Sequence, residues 1–530
     1  MTIQRIPFQE VPQLSSKDTA YATAKPELRP FFKYPVSIES FAQVIADKKQ
    51  AEIDRELLVS VLKKQYEKLD PSPQVLEQID RLSDPQTFTI VTAHQPSLFT
   101  GPLYYIYKII STIHLARKLN DQYPDQHIVP VFITGGEDHD FEEMNHASIF
   151  GKEIVWENEE SGSVAMMGTG SLAGALEQLK DILGSSPKAE EIGSLIEACY
   201  TRHEKYGMAS VDLVNELFKS YGLIVLDMNN PELKKRFIPI MEKELFEQPS
   251  RGLIEATTQE LEKVGFSQQA YPREINLFYL RDQIRERIVQ EGDKFQVLNT
   301  DYTFTEAEMR EELHQHPEHF SPNVVIRPLY QEYILPNLAY IGGGGEIAYW
   351  LERKTQFEHF GVNFPMLIRR NSVLWIDKGN AKKLDKLGLK VSDLFTETET
   401  LIKSYVKANA ENELSLKEEK KQLHTIFNGI VEKIKEVDQT LVKTVKAEAA
   451  NQMNSLQGLE SRLLKAEKQR HEIELNQIRG IKDKLFPGNG LQERTDNFLN
   501  FYLRYGQDFF ETLLAELDPL EEGFIVVVDE

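Results

Sequence analysis

Glu137, Asp138, His139 and Asp140 follow one another without a spacer, directly after the glycine pair Gly135-Gly136. Two aspartates flanking an imidazole can orient it as a general base, or join it in holding a divalent cation. Glu142, Glu143 and His146 come soon after. A helix dipole favours acids in a first turn, which explains Glu142 and Glu143 but leaves a histidine between two aspartates unexplained. The apolar run 128–133 ahead of the glycines reads as a buried strand, and the carboxyl end of such a strand is where an open α/β sheet places its ligand.

A second constellation is His94-Gln95-Pro96-Ser97, closed by Gly101-Pro102. A histidine leaving a strand just before a helix starts sits near unpaired amides and a positive dipole end, a setting that holds phosphate or carboxylate. His94 can donate to such an anion or act as an acid, and Gln95 and Ser97 add donors. A third runs from Asn323 to Glu352 and contains Gly342-Gly343-Gly344-Gly345-Glu346-Ile347-Ala348-Tyr349-Trp350. Four glycines before a helix permit close backbone approach and positive φ, so Gly344, Gly345, Glu346 and Tyr349 are candidate contacts to an anion or a sugar. No Gly-Lys-Ser/Thr comes after them, which excludes P-loop chemistry. Arg327, Arg369 and Arg370 are candidates for an anion pocket.

The elements that must position these groups form a βαβ unit. A β-branched run at 87–93 leads through the histidine motif into a helix at 104–119 and then the strand at 128–133, with a right-handed crossover expected. Further strands are expected at 222–227, 323–327, 366–368 and 523–528, separated in part by helices at 211–220 and 231–246. The alternation predicts an α/β fold, a Rossmann-like core with a largely parallel sheet. Residues 1–80 read as an N-terminal extension with helices at 38–47 and 55–69, and residues 81–385 as the core. From 386 to 488 prolines are scarce, and Leu423, Phe427, Ile430, Ile434, Val437 and Leu441 alternate steps of four and three, a coiled-coil seam. The pattern predicts two or three long helices folding back on one another, inserted in or appended to the core, before residues 489–530 return to it.

The chain has 530 residues, 41% hydrophobic and 27% charged, with a formal net charge of −22. Such a surface repels nucleic acid and anionic membrane, and an anionic substrate would need its own cationic pocket. No apolar run is long enough to cross a bilayer and no signal-peptide core is visible, so a cytoplasmic protein is expected. The single cysteine, Cys199, rules out an intrachain disulfide and reads as a packed small hydrophobe rather than a nucleophile.

Taken in order, His94-Gln95-Pro96 with Gly101-Pro102, Glu137-Asp138-His139-Asp140 with Glu142, Glu143 and Asn145, and Gly345-Glu346-Ile347-Ala348-Tyr349-Trp350, with a late coiled coil after them, resemble the BshC family over essentially the full chain. The family's members are named as the cysteine-adding enzymes of bacillithiol biosynthesis. The resemblance implies a core related to class I synthetases and nucleotidyltransferases, a coiled-coil domain and a homodimer. It also implies a ligase that joins cysteine to the amino group of glucosaminyl-malate. Activating a carboxylate for that bond usually takes a nucleotide, so ATP, ADP or another nucleotide with magnesium is the expected cofactor, with none tightly held. The resemblance carries His94 and Gln95 over to an anion or nucleotide, and Asp138, His139 and Asp140 to the reacting amine or a metal. His139 is the first choice of base; Arg327, Arg369 and Arg370 suit malate carboxylates by charge. Ile133-Thr134-Gly135-Gly136 stands where the family has an aromatic and small residues, and Gly344 where proline or another small residue is common. Two other readings stand beside the ligase: a metal-dependent hydrolase using His94, Asp138, His139 and Asp140, and a non-catalytic coiled-coil dimer scaffold.

Overall fold

Five parallel strands carry the core: β1 (Thr87–His94), β2 (His127–Thr134), β3 (Ile224–Asp227), β4 (Asn337–Gly342) and β5 (Met366–Arg369). They lie side by side in the order β5-β4-β1-β2-β3, every pair parallel. This is the Rossmann order 3-2-1-4-5 seen from the other edge, so the connections diverge at β1 and leave a crevice at its carboxyl end. β1 is paired on both sides and buried from Thr87 to Ala93, which is why it reads as an unbroken β-branched and apolar run. Helix α1 (Tyr104–Gln122) makes the crossover to β2. Helix α2 (Pro231–Phe246) comes after β3, with Pro231 in its first turn and the Asn230 side chain accepting from two amides of that turn.

The computed structural model describes residues 1–410 and 415–529. Residues 411–414 and 530, which fall within the ranges expected for the coiled coil and the C-terminal segment, lie outside the described residues. Two units are resolved by their contacts. One comprises Arg5–Leu374 and Gln492–Val526; the other comprises Met1–Gln4, Trp375–Leu491 and the residues from Val527 onward.

Besides the parallel sheet, the first unit holds an antiparallel sheet that sequence patterning did not suggest. Its strands are Leu277–Arg281, Ile284–Glu291, Lys294–Val297, Thr303–Thr305 and Phe320–Pro322. Each is either short or, like Ile284–Glu291, broken by charge, so neither alternation nor an apolar run marks them. Helix α3 (Glu306–Gln315) is inserted before the last strand. The strand expected at 323–327 is absent. Asn323 instead accepts from the amides of Val325 and Ile326 at 2.8 and 3.3 Å, and helix α4 (Arg327–Ile334) begins there with Pro328 in its first turn. The turn-forming asparagine and the proline override the β-branched side chains between them. The true fourth strand, β4, ends on Gly342, and helix α5 (Gly344–Trp350) starts inside the glycine run.

In the second unit, helices α6 (Lys417–Val437), α7 (Val442–Arg470) and α8 (Glu472–Leu485) account for the coiled-coil pattern. The chain folds back after α6, and Lys420 pairs with Glu460 on α7 at 2.6 Å. Val431 is buried and Leu423, Phe427 and Ile434 are half-buried, but Ile430, Val437 and Leu441 are exposed. No helix among the described residues is long and apolar enough to cross a membrane.

Candidate active site

A cavity of about 410 Å³ lies in the first unit at the carboxyl edge of the parallel sheet. Each strand delivers the residues just past its carboxyl end: Gln95 after β1, residues 135–138 after β2, Met228 and Asn229 after β3, residues 343–346 after β4 and Arg370 after β5. Tyr104, Arg285, Arg327, Tyr349 and Arg494 complete the walls.

Of the two glycines of the acidic loop, Gly136 is required by close packing, while Gly135 is held by a backbone hydrogen bond. The Gly135 amide donates to the His94 carbonyl at 2.8 Å, and a Cβ on Gly136 would stand 2.7 Å from that of Ala165. Beyond them the four ionisable groups diverge. Glu137 pairs with the fully buried Lys234 of α2. Asp138 faces the cavity, accepting from the Gln95 amide at 2.7 Å and lying 3.4 Å from Arg285. Burial alone would raise the Asp138 carboxyl, but hydrogen bonds from His139 and Gln95 and the charge of Arg285 hold it below the usual carboxylate range. His139 turns outward, exposed, its ring against Phe278 and its Nδ1 2.6 Å from an Arg285 nitrogen. An arginine N–H can only donate, so Nδ1 is the acceptor in this contact. Asp140 is exposed at the start of the short helix Phe141–Met144, and neither it nor His139 lines the cavity.

His94 does line it. Its Nδ1 donates to the Gln95 carbonyl at 2.9 Å and its Nε2 faces the Tyr104 hydroxyl at 3.3 Å. Burial and the nearby Lys108 charge push its pKa down to about 4, so it is neutral at pH 7. An acceptor nitrogen, rather than the anion-binding donor expected from the sequence, is what it offers the cavity. The turn after His94 is held open by tertiary contacts. Phe99, Thr100 and Gly101 all adopt left-handed φ values of 50°, 68° and 59°. Asn497 spans them, donating to the carbonyls of Phe99 and Gly101 at 2.8 Å each. Ser97 is packed at the base of this turn, where a Gly101 side chain would meet it, and does not reach the cavity.

On the opposite wall, Glu346 accepts from the Gly343 amide at 2.8 Å, from Tyr340 at 2.7 Å and from Lys108 at 2.8 Å. Burial opposes its ionisation, but Lys108 and these donors bring it to about 2. The glycine run has no left-handed member. What it supplies is approach: a Cβ on Gly344 would stand 1.7 Å from the Asp18 carboxylate. Gly345 meets nothing and is open to the cavity.

The three expected cations have separate fates. Arg369 is buried against Asp18 at 2.9 Å and does not line the cavity. Arg370 lines it but is held by both oxygens of Glu493, at 3.0 and 2.8 Å. Among the described residues no carboxylate forms an ion pair with Arg327, which reaches only the Tyr349 hydroxyl at 3.4 Å and Gln331 at 3.3 Å. It is the cation best placed to receive an anion.

Models of the two domains named "Bacillithiol biosynthesis BshC", the N-terminal Rossmann-like domain and the C-terminal coiled-coil domain, match residues 1–371 and 373–528. The chain belongs to the BshC family. A relative from Flavobacterium johnsoniae is 42% identical over 509 residues, covering 96% of both chains. One from Christiangramia forsetii is 40% identical, covering 96% of this chain and 95% of its own. One from Bacillus cereus is 28% identical, covering 94% and 95%. All three are named as candidate cysteine ligases, BshC. The Rossmann-like core and helical coiled-coil domain expected from the resemblance are thus both present.

Sequence reasoning missed Tyr104, Lys108, Asn229, Lys234, Arg285 and Arg494. A lysine inside an apolar and aromatic run, as Lys108 is in Tyr104–Ile110 of α1, was a readable sign of a buried partner. Arg285 and Arg494 carry no local signal; folding alone brings them to the cavity. The structure also does not gather His94, Asp138, His139 and Asp140 into one ligand set. Among the described residues, the group whose metal-capable atoms do converge is His316, Glu318 and His319, elsewhere in the same unit. Cys199 is buried, and burial with nearby Asp212 and Glu216 pushes its thiol up.

Proposed function

We propose that this chain, like the ligases its relatives are named for, joins the carboxylate of cysteine to the amino group of glucosaminyl-malate in this cavity. The observation that carries the reading is the cavity's polarity. One wall presents the ionised Asp138 beside Gln95, and another presents Arg327 beside Tyr349, with no carboxylate paired to it among the described residues. A substrate with one ammonium and two carboxylates suits that pair of walls. In this reading Asp138 holds the ammonium, Arg327 and Tyr349 take a malate carboxylate, and the neutral His94 receives the proton as nitrogen attacks. His139 is left to orient Arg285 from outside. The divergence of the strands at β1 is the usual seat of a nucleotide in sheets of this order, which supports carboxylate activation by a nucleotide with magnesium. A second copy of the chain on the exposed apolar positions of α6 makes the homodimer.

The test is incubation of the full chain with glucosaminyl-malate, cysteine, magnesium and a panel of nucleotides, and then mass detection of the coupled thiol. Product with at least one nucleotide is expected, and Asp138→Asn is expected to cut kcat/KM by roughly 100-fold or more. Absence of product under every nucleotide, with the chain folded, would sink the reading.

A further inference from the structure

Away from the cavity, the run His314-Gln315-His316-Pro317-Glu318-His319 closes α3 and forms the turn beyond it. Pro317 opens a 3-10 turn, Pro317–His319, and this turn lays the rings of His316 and His319 face to face, centroids 4.8 Å apart and planes 20° from parallel. One nitrogen of each ring and one Glu318 oxygen all lie within 4.8 Å of one another, and all three side chains are half-buried.

The surroundings of His319 are arranged as those of a ligand. Its Nδ1 donates to Glu312 at 2.6 Å, and the same carboxylate oxygen accepts from the Tyr279 hydroxyl at 2.5 Å. A carboxylate behind one imidazole nitrogen fixes the ring and leaves the other with its lone pair turned away, the arrangement found behind metal-bound histidines. The His316 Nδ1 lies 3.3 Å from Glu318, a contact loose enough for either group to turn toward a cation.

We propose that His316, Glu318 and His319 bind a transition-metal dication of the zinc class, with Glu312 orienting His319 and water completing the coordination. Two imidazoles and one carboxylate suit a borderline cation such as Zn²⁺, whereas calcium and magnesium call for oxygen ligands throughout. Tetrahedral bonds of about 2.0–2.1 Å need ligand atoms about 3.3 Å apart. Half-exposed side chains on a turn can close that gap by small rotations. The turn runs directly into the strand Phe320–Pro322, and Pro322 lines the cavity. A bound cation would therefore pin the segment that carries that wall.

Calorimetric titration of the metal-stripped full chain with Zn²⁺ tests the site. The wild type is expected to take up one equivalent, which His316→Gln/His319→Gln removes and His314→Gln leaves in place. Glu312→Gln is expected to weaken binding about tenfold or more. Zn²⁺ should raise the melting temperature of the wild type and not that of the double variant. Cobalt substitution of the wild type gives a reading that does not depend on any variant folding: visible bands of a nitrogen- and oxygen-bound Co²⁺ are expected. The proposal fails if the folded double variant binds Zn²⁺ as the wild type does, or if the wild type shows neither zinc uptake nor those bands.

Discussion

Arg327 and His94 show how one side chain's surroundings set what it can do. A guanidinium that among the described residues bonds only a tyrosine hydroxyl and a glutamine amide keeps donors for a ligand, while Arg369 and Arg370 are bound to Asp18 and Glu493. Arg327→Ala should therefore raise the KM for glucosaminyl-malate roughly 10- to 100-fold, the worth of a charge-assisted hydrogen bond, with a smaller change in kcat. Steady-state kinetics at varied acceptor concentration reads this directly, and an unchanged KM would remove Arg327 from the acceptor site. His94 makes a separate prediction. Its ordinary pKa of 6.5 is pushed down to about 4 in the folded chain. Between those values the unfolded chain binds a proton that the folded chain refuses. Its contribution is whole above pH 6.5 and is lost as the pH falls toward 4. The difference between the two values is worth at most roughly 3 kcal/mol. Denaturant midpoints measured at pH 7 and pH 4.5 should fall less steeply for His94→Gln than for the wild type.

At the scale of elements, the loops rather than the strands carry the specificity of the site. The β1 to α1 turn keeps two non-glycine residues, Phe99 and Thr100, at left-handed φ while Asn497, far away in sequence, bridges the carbonyls of Phe99 and Gly101 across them. The β4 to α5 turn needs glycine for proximity: the backbone of Gly344 passes so close to Asp18 that a single methyl cannot fit. Gly344→Ala should cost about 1–3 kcal/mol by overpacking and loosen the Asp18 to Arg369 pair behind the cavity. Thermal unfolding measures it, and a variant as stable as the wild type would mean that Asp18 moves aside freely. β1, β2 and the helix at 231–246 were legible because each shows a complete local signal: a β-branched run with glycine behind it, or an asparagine cap with proline next. The antiparallel sheet was not, since its short charged strands are stabilised by pairing with one another rather than by any pattern of their own.

Across the whole molecule, the apolar stripe on α6 is longer than the α6–α7 pairing covers. Ile430 is 37% exposed and Val437 85% exposed, so charge at these positions does little to the folded chain but opposes burial against a second copy. Ile430→Asp/Val437→Asp is expected to halve the mass measured by light scattering, from twice the 61.0 kDa chain to one. A wild type that already runs at one chain would overturn the dimer. The fold class, the βαβ unit and the coiled coil are written in the residue order, because each element shows its pattern within a short stretch of chain even though the elements pair across long separations. Which members of the acidic run reach the cavity is settled by folding in three dimensions. Asp138 turns inward while His139 and Asp140 turn out, because Arg285 and Gln95 take their places from strands and turns distant in sequence. The same holds for the arginines. Three look alike as residues, and Arg327 is set apart only by folding, which among the described residues pairs it with no carboxylate.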